Sequence, residues 1–196
     1  MSYWDKYRSD DPRRIPPLEA PLLDYIVLDT ETTGLNPEDG AKLIEIGAVK
    51  VKNGRIVDTY SQLINPQMIV PPHITQLTGI TTYDVSGKPT VKHAMKEFER
   101  WLGFKTPFLA HNATFDLKFL DWATAETWPN RPLFDHPFLD TLEMSRDIHP
   151  EIRHHKVVDL IKRYHVADVE QHRALSDAMQ EQALYQIMCK EYFLGA

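Results

Sequence analysis

An α/β fold, a mixed five-stranded sheet flanked by helices, is what the sequence predicts, on three observations. A continuous apolar run, YIVL at residues 25–28, reads as a strand buried on both faces. Two further strand-like segments within residues 42–64 are joined at Asn53-Gly54, the strongest short hairpin signal. From residue 107 onward, short strand segments alternate with segments of helical period, the order that gives a sheet with helices packed on its faces.

Taken in order, residues 1–24 carry Pro12, Pro16, Pro17 and Pro21 among charges and read as an N-terminal arm or wrap, not a core element. Its first 14 residues are expected to be solvated. The folded domain is expected over 25–196. YIVLDT (25–30) is a strand, and KLIEIGAVKVKNGRIVDTYSQLI (42–64) is a strand pair. A short helix is expected near 73–77 and an amphipathic one over 90–102. PFLAHN (107–112) is a short strand, ATFDLKFLDWATA (113–125) a helix, and 138–140 a last short strand that a helix follows, with Asp140 as its N-cap. Helices over 156–164 and 173–193 complete the chain. Repeats and a second domain are not expected.

Composition narrows the function classes. The net charge of −6 argues against a protein that coats nucleic acid by bulk attraction, but not against a site where bound cations supply the positive charge. No apolar run approaches the roughly 20 residues of a membrane-spanning helix, and residues 1–21 have no apolar signal core. Cys189 is the single cysteine, so no internal disulfide forms. It reads as a core residue, and the expected compartment is the cytoplasm, with no membrane partner.

Three features place carboxylates where structure alone does not call for them. Asp29 and Glu31 sit two apart at a strand end and share one face, where they repel unless a divalent cation neutralises both. The bland alternative is a turn cap and a solvated glutamate. In HNATFDLKFL, a helix places Asn112, Phe115, Asp116, Phe119 and Leu120 on one stripe, with Asp116 in the middle of an apolar face. A buried carboxylate is costly without a partner. In QHRALSDAMQEQALYQIM, Asp177 lies on the stripe of Leu184 and Met188, and again points inward. His172, five residues earlier, is either a surface or capping residue or a base for an attacking water. Converging carboxylates with few other ligands suit magnesium or manganese, whereas zinc would bring more His or Cys. Two such ions about 3.5–4 Å apart suit phosphodiester hydrolysis. His154 and His155 are adjacent, so they point apart, make a poor metal pair and are expected on the surface or in a loop.

Together these motifs resemble the DnaQ-like 3′–5′ exonucleases of the DEDD superfamily, in the branch with histidine in the last motif. The matching motifs are Asp29-Thr30-Glu31-Thr32-Thr33-Gly34, then His111-Asn112 through Phe115-Asp116, then His172 through Asp177 at H-x4-D spacing. LIEIGAV (43–49), ITQLTGIT (74–81) and FLDTLEMSR (138–146) are supporting matches, and the likeness covers about 25–190. It implies a ribonuclease H-like fold and two divalent cations, Mg2+ or Mn2+. Asp29, Glu31 and Asp177 would hold the metal of the attacking water. Asp29 would bridge to a second metal supported by Asp116, and His172 would be the general base. Thr32 and Leu35 would pack on the terminal nucleotide, and Asn112 and Phe115 would line the strand's path.

The implied activity is removal of nucleoside 5′-monophosphates from the 3′ end of DNA, preferably single-stranded. Nucleic acid with a free 3′ end is the implied partner. A DNA polymerase, as for the proofreading epsilon subunit of bacterial DNA polymerase III, or a replication or repair assembly is the candidate protein partner. The alternatives are a 3′–5′ exoribonuclease like ribonuclease T or oligoribonuclease, and a non-catalytic nucleic-acid-binding module. The motifs act on phosphate and do not choose between sugars.

Overall fold

The computed structural model describes residues 11–103, 105–131 and 133–195. Its sheet has the order β3-β2-β1-β4-β5. β1 (Tyr25–Thr32) is central, antiparallel to β2 (Leu43–Lys52) and parallel to β4 (Phe108–Ala110). β3 (Arg55–Leu63) pairs antiparallel with β2, and β5 (Phe138–Asp140) parallel with β4. The hairpin turns at Asn53 and Gly54, both at positive φ (50° and 70°), as a two-residue turn between right-twisted strands requires.

Helices cover both faces. α3 (Val91–Leu102) and α4 (Ala113–Thr127) enclose a core with Ile26, Leu28, Ile46, Phe98, Phe108 and Leu117. α5 (Thr141–Ile148), α6 (Val157–Arg163) and α7 (Ala174–Leu194) enclose a second core with Tyr25, Val27, Val49, Leu160, Tyr185 and Met188. Ile26 and Leu28 face one core and Tyr25 and Val27 the other, which is why the strand is apolar throughout and does not alternate. Between β3 and α3 lie two short helices, α1 (Pro72–Thr78) and α2 (Thr82–Ser86). α2, five residues in a Thr81/Asp84 capping box, is too short to show a period and was not expected.

Four further expectations need correction. β1 runs two residues past Thr30, so Glu31 and Thr32 are strand residues paired with Glu45 and Leu43. Asn112 is not on the helical stripe: it is the N-cap of α4 at φ 64°, and its side chain is exposed. α4 is buried at consecutive positions 116–121 and is therefore wrapped by the protein, not laid on it by one stripe.

The fourth is the arm. Residues 1–10 lie outside the described residues, but Arg13 is buried and Asp11 and Arg14 are half-buried, with Pro12 exposed. The Arg13 guanidinium is buried and donates to both oxygens of Asp121 in α4 (2.6 and 3.0 Å), both oxygens of Asp11 (3.0 and 2.7 Å) and the Phe134 carbonyl (2.9 Å). Such a pair is tolerated only because each donor and acceptor is satisfied. Phe138 N–H donates to the Arg13 carbonyl (2.9 Å) and Ile15 N–H to the Phe138 carbonyl (2.8 Å), so the arm covers the open edge of β5.

Cys189 is buried in α7, and Asp140 caps α5 as expected, accepting from Leu142 N–H at 2.9 Å. Among the described residues, no helix is long and apolar enough to cross a membrane.

Candidate active site

Strand order reverses at β1, with β2 on one side and β4 on the other. In open sheets the crevice beyond the C-terminal ends of the parallel strands, at such a reversal, is where sites form. Every candidate carboxylate reaches that crevice. Asp29 and Glu31 project from the end of β1 on the α7 face, in phase with Tyr25 and Val27. Thr30, in the opposite phase, turns to α4 and donates its hydroxyl to Asp116 at 2.7 Å.

Asp177 is brought in by one close contact. Gly47 in β2 is the register partner of Asp29, and the first turn of α7 rests on its backbone. A Cβ at Gly47 would lie 2.0 Å from Leu175 N and 2.2 Å from Ala174 C. Only glycine lets α7 approach this near. Glu45 fastens the same turn from β2. Its carboxylate accepts from Arg173 Nε (3.1 Å) and a terminal guanidinium nitrogen (2.8 Å), and from Ala174 N–H (3.1 Å). Gly47→Ala is therefore expected to displace the start of α7, cost on the order of 1–3 kcal/mol or more by overpacking against backbone, and lose the activity proposed below. Thermal melting and a cleavage assay check this; a variant with wild-type stability and activity would contradict the packing argument.

Asp29, Glu31 and Asp177 each offer an oxygen, and these atoms lie within 4.8 Å of one another. Glu170, His172 and Asp177 form a second such group. Asp177 is shared, and its oxygens accept from Gln171 N–H (3.2 Å) and Arg173 N–H (3.1 Å). The Asp29 and Glu31 side chains accept no hydrogen bond from the described residues. Asp116 stands outside the three-carboxylate group, next to Thr30.

Burial, then mutual repulsion, holds these acids protonated beyond their usual range. Glu31 is pushed up to about 8, by burial and by the charges of Asp177, Glu45 and Asp116. Asp116 is pushed up to about 7, by burial against the opposing hydrogen bond of Thr30. Asp29 is raised well above the usual range by burial and by Asp116, Glu31 and Asp177, and Asp177 is raised mainly by burial. Opposed carboxylates in a concave site, two of them without a hydrogen-bond donor among the described residues, fit a hard divalent cation, because they are oxygen ligands that repel one another.

The remaining expected residues fall around this cluster. His172 precedes α7 in a left-handed conformation (φ 50°), between Glu170 and Asp177. Thr32 is buried and donates its hydroxyl to the Gly34 carbonyl at 2.7 Å. Leu35 is 77% exposed. Phe115 is half-buried beside Phe119, with Lys118 Nζ 5.8 Å from its ring. Lys118 also donates to the Leu35 carbonyl at 3.4 Å, tying α4 to the loop after β1. Asn112 and Asp29 line one groove of about 600 Å³.

One residue at this site was expected only as a helix cap, and another was not singled out from sequence. Asp140, beyond capping α5, accepts from Asn112 N–H (3.0 Å) and Ala113 N–H (3.1 Å), and so sets where α4 begins. Glu181, one turn after Asp177, is a buried carboxyl raised well above its usual range by burial and accepts from the Thr141 hydroxyl at 2.9 Å. Its i+4 spacing from Asp177 was the available signal.

Comparison with known proteins gives the family and the fold. Residues 26–185 match the RNase T family model, described as an exonuclease. A PolC-type DNA polymerase III of Halalkalibacterium halodurans is 38% identical over 160 residues, 81% of this chain. The chain spans 11% of that relative's length. A solved structure of Exonuclease X in complex with 5′ overhanging duplex DNA is 26% identical, with a TM-score of 0.64 over 88% of this chain and 93% of that one. The nuclease domain of 3′hExo, a DEDDh family member bound to rAMP, is 21% identical, with a TM-score of 0.71 over 86% of this chain and 92% of that one, which shows a shared fold.

Proposed function

Because the chain belongs to the RNase T exonuclease family, we propose that it removes nucleoside 5′-monophosphates from the 3′ end of DNA, preferably single-stranded, with two divalent cations, Mg2+ or Mn2+. One observation carries this reading: three donor-free or backbone-capped carboxylates converge at the sheet's reversal point with a histidine on their flank.

Asp29, Glu31 and Asp177 would hold one cation, and Asp29 with Asp116 would hold the other. When bound, the cations supply charge neutralisation at the phosphate and an acidified water. His172, with Glu170 and Asp177 close beside it, would take the proton of the attacking water. Leu35, exposed in the loop after β1, would offer an apolar surface to the terminal base, and the Thr32 backbone would fix the sugar's approach. Asn112, in the groove with Asp29, and Phe115, half-buried in the first turn of α4, would line the path of the strand. The likeness to polymerase relatives supports DNA over RNA as substrate and a proofreading or repair role beside a polymerase.

The test uses 5′-labelled single-stranded DNA and RNA of one sequence, with magnesium, manganese or chelator. The expected result is a metal-dependent ladder that shortens from the 3′ end, faster on DNA. A faster ladder on RNA would move the substrate to RNA. A single internal cut, or cleavage in chelator, would overturn the proposal.

A further inference from the structure

The groove that contains Asp29 and Asn112 has a second wall. It is lined by Arg146 from α5 and by Arg153, His154, His155 and Lys156 from the segment before α6, with Glu170 opposite. Arg146, Arg153 and Lys156 are exposed, and none forms an ion pair among the described residues. Arg13, Arg14, Arg131 and Arg173 each do. In a chain of net charge −6, these three exposed cations are gathered on one groove, where Lys156 also acts on Glu170.

The wall is also held in place. The half-buried His111 ring is neutral, because desolvation pushes it down to about 4. Its Nε2–H donates to the His155 carbonyl at 2.6 Å. The His155 ring donates Nε2–H to the Ile152 carbonyl (3.1 Å), so its Nδ1 accepts from the Ser145 hydroxyl (2.8 Å). The second sequence motif and α5 therefore both anchor the segment that carries Arg153 and Lys156, and its charges are pre-positioned beside the carboxylates.

Resting on the proposed reaction, we infer that Arg146, Arg153 and Lys156 form a subsite for the strand's backbone, holding the phosphodiester that neighbours the scissile one. The carboxylate end of the groove takes phosphate only through cations. The basic wall takes it directly, by charge-assisted hydrogen bonds to its oxygens. Because it reads phosphate, it acts on any sequence.

The test compares wild type with Arg146→Ala/Arg153→Ala/Lys156→Ala. The substrates are a single-stranded oligonucleotide and the p-nitrophenyl ester of thymidine 5′-monophosphate, which has no neighbouring phosphate. All three positions are exposed, so the variant is expected to fold, and circular dichroism checks this. The expected result is a KM for the oligonucleotide raised about tenfold or more, and a loss on the oligonucleotide at least tenfold larger than on the ester. The slope of log affinity against log salt should become shallower by about 0.7 per contact removed. Equal losses on both substrates, or unchanged oligonucleotide kinetics and salt slope, would overturn the subsite. Polarisation of a fluorescein-labelled oligonucleotide reads the subsite separately, and the variant should bind at least tenfold more weakly. Should the wild type hydrolyse neither substrate, the proposed reaction fails, while this binding result still supports or overturns the subsite.

Discussion

Asp29→Asn is expected to lower the cleavage rate by at least about 10³-fold, equivalent to about 4 kcal/mol of barrier, while raising the melting temperature of the metal-free protein. Both effects have one cause. Asp29 sits among Asp116, Glu31 and Asp177 with no hydrogen-bond donor, so its charge is unfavourable until a cation arrives. Asparagine keeps the shape, removes the repulsion and removes the ligand shared between the two proposed cation positions. Stability gained where activity is lost is the mark of a residue kept for chemistry. Steady-state cleavage of a labelled oligonucleotide and a thermal melt in chelator measure the pair. Retained activity, or a metal-free variant less stable than wild type, would count against this role.

The second large effect is the pH dependence of stability without metal. Glu31 lies at about 8 and Asp116 at about 7 in the folded protein, both raised first by burial. In the unfolded chain these carboxyls titrate at about 4. Between those limits the folded state holds protons that the unfolded state has released, so stability falls as pH rises. The metal-free protein should melt at a lower temperature at pH 8 than at pH 6. A divalent cation binds the ionised, folded site and reverses the loss. At 100 times its dissociation constant it contributes about 2.7 kcal/mol, roughly 5–10 °C for a chain of this size, and more at pH 8 than at pH 6. A Glu31→Gln variant should flatten the metal-free dependence. A melting temperature that is flat with pH and indifferent to Mg2+ would contradict the assignment.

What could be read from sequence was what local pattern determines. The YIVL run gave the central strand, Asn53-Gly54 the hairpin, and carboxylates at apolar positions the cluster. Asp116 and Asp177 are indeed buried, at 3% and 6% exposure. What could not be read depends on partners far along the chain. Gly47 is an unremarked strand residue until α7, more than a hundred positions later, rests on it. Glu45 looks like a polar residue on an edge until Arg173 and Ala174 reach it. Arg13 looked solvated because its partner, Asp121, lies 108 residues away. Asn112 was assigned to a helical stripe because the period extends back through it, whereas its left-handed backbone places it one residue before the helix.

The central claim is that Asp29, Glu31, Asp116 and Asp177 are a divalent-cation centre. Counting bound Mn2+ by electron paramagnetic resonance, in the presence of a nucleoside 5′-monophosphate, tests it most directly. Two ions per chain are expected, falling to one or none in Asp29→Asn. A wild-type protein that binds no Mn2+, or a variant that binds as many as the wild type, would contradict the account.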